Sequence, residues 1–127
     1  MNAATMPTDT HAREARLAPL SLARLDEVLA IEAQAHPHPW SRRQFTDALA
    51  SGYRIDLLLG GDQVLGYFVA MRGVEEAHLL NLTVAPAFQR QGWGQILLDA
   101  LALWARGKGL QWLWLEVRMG NDRARAV

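Results

Sequence analysis

Residues 81–95 read N-L-T-V-A-P-A-F-Q-R-Q-G-W-G-Q, and the order of residue types in this stretch sets the expectations for the whole chain. Leu82, Thr83 and Val84 have the aliphatic and β-branched character of a strand end, and Pro86 stops that strand by removing a backbone donor. Gln89 to Gln95 then form a polar turn with two glycines, opening directly onto the apolar helical run Ile96 to Ala105. A strand, a glycine-bearing turn and a helix in that order gather main-chain N–H groups at a positive helix end. Such a nest accepts phosphate oxygens. Gly92 and Gly94 matter because a side chain at either place would hold a pyrophosphate away from the amides. The expected ligand is a phosphate-bearing cofactor.

What the turn lacks narrows the choice. A P-loop ends in Gly-Lys-Ser/Thr, whereas Gly94 is followed by Gln95 and Ile96, which argues against nucleotide triphosphate hydrolysis. A Rossmann turn needs a small residue three places after its second glycine, and Leu97 stands there. Glu116 does close the next strand at about the 20-residue distance of a ribose-binding acid, but the glycine spacing fails first. The pattern that fits is Gln/Arg-x-x-Gly-x-Gly/Ala, met here by Gln89-Arg90-Gln91-Gly92-Trp93-Gly94. It resembles the acetyl-CoA pyrophosphate loop of the GNAT N-acetyltransferases.

Composition bounds the rest. The chain of 127 residues is 50% hydrophobic and 20% charged, with a formal net charge of +0, which suits one soluble domain with one core. There is no basic field of the kind that binds nucleic acid by bulk electrostatics. The absence of Cys excludes disulfides, a thiolate nucleophile and a thiolate metal site. No segment reaches the length of a membrane span and no signal-peptide h-region opens the chain, so the expectation is a cytoplasmic protein without membrane or nucleic-acid partners. A monomer is expected.

Residues 1–16 are polar and aperiodic and read as a disordered leader, leaving 17–127 as the domain. Leu17 to Leu20 suggest a short first strand broken by Pro19. Ser21 to Ala35 carry apolar residues at helical spacing, including Leu22, Leu25, Val28 and Leu29. His36-Pro37-His38-Pro39-Trp40 is a rigid loop, because its two prolines exclude helix. Ser41 and Gln44 make a capping box for a second helix that turns Phe45, Ala48 and Leu49 inward and ends near Gly52. Arg54 to Leu59, the Gly60-Gly61-Asp62 turn and Val64 to Met71 spell a hairpin. A third strand is expected over Ala77 to Val84, and a helix from Gln95 to the C-cap signal Gly107-Lys108-Gly109. Leu110 to Val117 is a near-continuous apolar strand of a sheet covered on both faces. Asn121 stands where it would N-cap another helix.

Helix pair, antiparallel strands, then strand-helix-strand is the order of the GNAT fold: an α/β (α+β) architecture with a mixed twisted sheet flanked by helices. P-W-S at 39–41, L-N-L-T-V-A-P at 80–86, F-Q-R-Q-G-W-G at 88–94 and W-L-E-V-R-x-x-N at 114–121 are similar, more narrowly, to the ribosomal-protein-alanine N-acetyltransferases, the RimI type. The resemblance covers Leu17 to the last residue. It implies acetyl transfer from acetyl-CoA, as co-substrate, to the α-amine of a protein N-terminus, an Ala of a small-subunit ribosomal protein. In such enzymes the cofactor enters a V-shaped gap between diverging parallel strands, here Leu79–Val84 and Leu110–Val117. Leu82, Thr83 and Val84 would meet the pantetheine arm, whose amides satisfy strand groups left without ladder partners. Amides of Arg90, Gln91, Gly92, Trp93, Gly94 and Gln95 would hold the pyrophosphate, with the helix dipole behind them. Asn121 is a cofactor contact by resemblance and a plain helix cap by position.

Amide formation needs a neutral amine, so a proton must be taken directly or through water. Glu116 interrupts an apolar run in which strand alternation puts Trp112, Trp114 and Glu116 on one face. Nearby aromatics raise carboxylate basicity by desolvation. Read alone, Glu116 is a strand-end residue pairing with Arg118 or facing solvent; with the resemblance it is the base. The family's proton donor is a Tyr on the helix after that Asn, past Val127, and neither Tyr53 nor Tyr67 matches it. The closing one or two strands of the sheet fall beyond Val127 too, so the expectation is a domain incomplete at its C-terminus that binds acetyl-CoA but acetylates poorly. His78 faces the gap as a second base or as a structural residue. No metal is expected, since His36 and His38 have no third ligand at suitable spacing. Trp40 and Phe45 read either as a floor for the acceptor or as helix packing, and Trp93 and Trp104 as packing residues, with Trp93, between the two glycines, alternatively lying over the cofactor. Alternative readings are a GNAT enzyme acting on a small amine, a catalytically impaired acetyl-CoA-binding fragment and, more distantly, a Rossmann-type binder.

Overall fold

The hairpin anchors a computed structural model that describes residues 15–115 and 124–126. Strands β2 (Arg54–Gly60) and β3 (Gln63–Arg72) pair antiparallel from Arg54↔Ala70 to Gly60↔Gln63 across a Gly61-Asp62 turn, where Gly61 takes φ 60. β1 (Ala15–Pro19) lies antiparallel on the outer side of β2, and β4 (Glu76–Val84) lies antiparallel on β3. β5 (Trp112–Leu115) then joins β4 in parallel, which requires the crossover helix α3 (Trp93–Gly107). β6 (Ala124–Ala126) pairs antiparallel with β5. The sheet order is β1-β2-β3-β4-β5-β6.

Helices cover both faces. α1 (Leu25–Ala35) and α2 (Arg42–Ala50) close one core through Leu25, Val28, Phe45, Leu57 and Tyr67. α3 closes the other through Leu97 and Leu101 against Leu58, Phe68 and Leu113. Adjacent residues Leu57 and Leu58 serve opposite cores, as the two-residue period of a strand dictates. The capping box of α2 forms in full. The Gln44 amide donates to Ser41 Oγ, and the Ser41 amide donates to Gln44 Oε1.

Several expected boundaries move. β1 starts at Ala15 rather than Leu17, because Ala15 and Arg16 find partners in Gly60 and Leu59. Leu20 leaves the strand but stays tied to it, its amide donating to the Ile55 carbonyl at 2.9 Å. The first helix opens as a 3-10 turn, Leu22–Arg24, whose tighter winding throws Leu22 off the buried stripe and leaves it 70% exposed. α3 starts at Trp93, two residues before Gln95. The last parallel strand, expected over Leu110–Val117, runs from Trp112 to Leu115 among the described residues. There Trp112 is 48% exposed, so its face is covered less than a fully buried strand would be. Where a helix capped by Asn121 was expected, residues 124–126 are extended and paired with β5.

β3 and β4 approach so closely at Gly66 that an added Cβ would stand 2.5 Å from the Thr83 carbonyl oxygen and 3.0 Å from Leu97 Cδ1. Main chain cannot yield there as a flexible side-chain end can. Gly66→Ala is therefore expected to lower stability by about 1–3 kcal/mol, the range of overpacked cores. Urea unfolding of the two proteins measures it, and an unchanged midpoint would show that the strands separate freely.

Candidate active site

The site is built on an irregularity of β4. Its register with β3 shifts between Val69↔Asn81 and Ala70↔Leu79, leaving Leu80 as an extra, bulged residue. Before the bulge, Ala77 and Leu79 face the α3 core while Leu80 packs against the α1/α2 core. After it the phase is reset. Asn81 and Thr83 turn their side chains toward α1, and Leu82 and Val84 toward α3.

Main-chain directions follow. The Ala85 amide donates to the Leu65 carbonyl at 2.8 Å, and in an antiparallel pair the bonded residues alternate. Asn81 and Thr83 therefore direct their peptide groups to β3, whereas Leu82 and Val84 direct theirs to the opposite edge. The Val84 carbonyl does lie at that edge, accepting from Gln89 Nε2 at 3.0 Å. Parallel pairing with β5 spans Glu76↔Trp112 to Leu79↔Leu115, while β4 runs on to Val84. Among the described residues, no β5 partner faces Leu80–Val84. The Leu82 N–H and C=O and the Val84 N–H thus border a gap.

The turn after β4 leads into α3 through two residues of positive φ, Arg90 at 65 and Gly92 at 90. A left-handed Arg is uncommon. Space around Gly92 is open, since a Cβ there would meet nothing within 4 Å, so the demand for glycine is conformational. A Cβ on Gly94 would make only ordinary contact, 3.7 Å from Val84 Cγ2. Gly92 is the N-cap and provides no side-chain cap bond, and the first helical bond runs from the Ile96 amide to the Gly92 carbonyl at 3.3 Å. The N–H groups of Trp93, Gly94 and Gln95 therefore project from the positive end of α3 without intrahelical partners. Trp93 is buried in the α3 core, its indole donating to Gln91 Oε1 at 3.2 Å. It anchors the turn rather than lying over it. Gln95 Nε2 donates to Asp99 Oδ1 at 2.8 Å, one turn on along α3.

On the other face of β4 lies a sealed polar cluster. Glu32 of α1 is 0% exposed. Its Oε1 accepts from Tyr67 Oη at 2.7 Å and from Asn81 Nδ2 at 3.1 Å, and its Oε2 accepts from the Trp40 amide at 2.9 Å. Thr83 Oγ1 donates to Asn81 Oδ1 at 2.7 Å, so it accepts from His36 Nε2 at 2.8 Å. Burial first, and then the bond to Glu32, push the Tyr67 phenol far above its ordinary pKa, so it stays a donor. Neither Glu32 nor this cluster was anticipated from the sequence. The signal was there, because Glu32 falls in line with Leu25 and Val28 on the buried stripe of α1.

Beside the bulge, an open depression of about 300 Å³ is lined by Trp40, Gln44, Asp47, Tyr53 and Leu80. Trp40 borders it, while Phe45 is wholly buried, 5.2 Å from the Trp40 ring and edge-on to Tyr67 at 6.1 Å. Of the two readings, Phe45 is packing and Trp40 is available to a ligand. His78 bonds Glu76 Oε2 at 2.5 Å and stacks on Trp114, its register partner, with ring centres 6.3 Å apart. Glu116 and Asn121 lie outside the described residues. Among the described residues, no group of three His, Cys, Asp or Glu could hold a metal ion, and no helix is long and apolar enough to cross a membrane.

Residues 23–127 match the Acetyltransferase (GNAT) family. The [ribosomal protein bS18]-alanine N-acetyltransferase of Salmonella typhimurium is 35% identical over 108 residues, 85% of this chain and 73% of that protein. The Haemophilus influenzae protein of the same name is 34% identical over 97 residues, 76% of this chain and 66% of that one. The crystal structure of the ribosomal-protein-S18-alanine N-acetyltransferase from Escherichia coli superposes with a TM-score of 0.74 at 30% identity, over 80% of this chain and 65% of the other. The chain thus spans about two thirds of the length of these proteins. A family match over residues 23–127, with relatives of the same family at 30% identity or more over most of the chain, shows that the chain belongs to the GNAT family of acetyltransferases.

Proposed function

We propose that this chain transfers the acetyl group of acetyl-CoA to the α-amine of a protein N-terminus, the acceptor being an N-terminal Ala of a small-subunit ribosomal protein such as the relatives' names specify. The observation that carries the reading is the junction of a helix end without a side-chain cap and a strand edge that has no partner among the described residues. The left-handed Arg90 and Gly92 aim the turn at the start of α3, and the edge groups of Leu82 and Val84 lie next to it. A diphosphate joined to an arm bearing amides matches both, the first by accepting N–H groups at a positive helix end and the second by completing the ladder of β4.

When bound, acetyl-CoA supplies an acetyl group activated as a thioester. Main-chain N–H groups of Arg90, Gln91, Gly92, Trp93, Gly94 and Gln95 hold the diphosphate, and the edge at Leu82, Thr83 and Val84 orients the arm, with Asn121 a further contact. Of the three strand residues, Leu82 and Val84 present main chain, while Thr83 supports them from the buried side. The acceptor enters by the depression at Trp40, Asp47 and Leu80, whose acidic member favours an ammonium. Glu116 takes a proton from that ammonium, directly or through water, so that a nitrogen lone pair is free to attack the thioester carbonyl; the C–S bond then breaks, and the proton the nitrogen sheds on becoming an amide goes to the departing thiolate. The protein works as a monomer in the cytoplasm.

Gly92→Val forces a β-branched side chain onto φ 90, which is unfavourable by about 1–2 kcal/mol. Acetyl-CoA affinity is expected to fall about tenfold, the equivalent of 1.4 kcal/mol. Calorimetry with acetyl-CoA and NAD in parallel reads this out, and NAD binding alone would reject the cofactor assignment. Glu116→Gln is expected to lower kcat on an Ala-initiated peptide by about 10²–10⁴-fold and to abolish the limb of the pH–rate profile that rises with pH, because the base must be deprotonated to act. Faster acetylation of polyamines or aminoglycosides than of the peptide would overturn the choice of acceptor.

A further inference from the structure

We propose that Glu32 is a positioning residue for the acyl-transfer cleft, its sealed carboxylate locking both the segment of β4 after the bulge and the loop that borders the acceptor depression. The inference rests on the acetyl-transfer reading above, but its grounds are separate. Glu32 touches neither the gap nor solvent, and both its oxygens are filled by donors from β3, β4 and the Trp40 amide. It is therefore unsuited to take a proton or to hold a ligand. A cluster required only for stability would be replaceable as a whole by apolar packing, since buried charges rarely improve on it, whereas removing Glu32 alone would strand its three donors. What a charge supplies and an apolar side chain cannot is direction.

An ionised carboxylate only accepts. It obliges Asn81 to present Nδ2 to Glu32 and hence Oδ1 to Thr83, which in turn obliges the Thr83 hydroxyl to donate to Asn81 and to accept from His36. One charge thus fixes a single polarity from the end of α1 through two alternate residues of β4. Between those residues lies Leu82, whose main-chain groups face the gap. The same carboxylate holds the Trp40 amide, and Trp40 lines the acceptor depression. Cofactor edge and acceptor wall are referenced to one atom group.

Glu32→Gln tests this, because its amide can reverse the network: Asn81 flips, Thr83 and His36 exchange roles, and the segment gains a second arrangement. The charge-swapped pair Glu32→Gln with Asn81→Asp restores one polarity, as the Gln amide donates to the new carboxylate. In the whole chain, Glu32→Gln is expected to lower kcat on an Ala-initiated peptide at least tenfold while the acetyl-CoA Kd moves less than twofold. The double variant is expected to recover kcat to within threefold of wild type. Amide exchange at Trp40 and Thr83, whose N–H groups point to Glu32 and to β3, should quicken in the single variant and return to wild-type rates in the double one. Phe45→Leu in the same core, assayed where it remains folded, should leave kcat unchanged. Full activity and unaltered exchange in Glu32→Gln, or a folded double variant no better than the single one, would overturn the proposal. Failure of the wild-type chain to bind acetyl-CoA or acetylate any amine would instead count against the acetyl-transfer reading.

Discussion

One extra residue in β4 governs the geometry of everything around it. Without the bulge at Leu80, strand alternation would place Asn81 and Thr83 in the apolar core beneath α3, and Leu82 and Val84 against α1. Two polar side chains would then be buried without partners, an unfavourable exchange of about 1–3 kcal/mol for each. With the bulge, the same sequence meets Glu32 and His36 on one face and Leu97 and Leu101 on the other. The reset also decides that Leu82 and Val84 turn their peptide groups toward the β5 side, where no partner stands among the described residues. Bulges commonly re-aim side chains next to active sites, and here the bulge re-aims main chain as well.

Glu32 is the electrostatic complement of that reset. Taking a carboxylate out of water costs several kcal/mol even after the protein relaxes. Hydrogen bonds to charged groups return about 1.5–3 kcal/mol each, and Glu32 has bonds from Tyr67, Asn81 and Trp40. The two sides come close to cancelling, so the cluster is not a source of stability in itself. Its worth lies in joining segments that are distant along the chain. The Tyr67 phenol, held protonated by burial and by Glu32, adds a rigid donor from β3, and Phe45 packs edge-on against its ring from α2.

The elements legible in the sequence were those whose signals are local. The capping box of Ser41 and Gln44, the Gly61-Asp62 turn and the strand-turn-helix around Gly92 each depend on residues a few places apart, and all appear. The misses depend on partners elsewhere. Ala15 and Arg16 are strand only because Gly60 and Leu59 are there to pair with them, and Leu22 is exposed because a 3-10 turn precedes α1. Neither the bulge nor the role of Glu32 can be seen without laying β4 against β3 and α1 together. The start of α3 at Trp93 was hidden for a related reason: Trp93 looks like a loop residue until the α3 core that receives its ring is known. The roles of Glu116 and Asn121 rest on resemblance, since both lie outside the described residues.

On the proposed reading, donor and acceptor reach the chain from opposite sides of one sheet. α3 and its open N-terminus belong to one face, and α1, α2 and the depression at Trp40 belong to the other. A wall of hydrogen-bonded strands separates those two faces. Among the described residues, the wall is interrupted where β4 outruns its parallel pairing with β5, between Leu79 and Val84. On that reading, a phosphate anchored at the α3 side would send its reactive end past the sheet edge beside Leu80 and Leu82, toward an amine held on the α1/α2 side. Transfer between a long, flexible donor and a separate acceptor is favoured by such a slot, because it converts two independent binding events into one aligned encounter. The position of the bulge, at the mouth of that slot, is then a requirement of the chemistry and not an accident of packing.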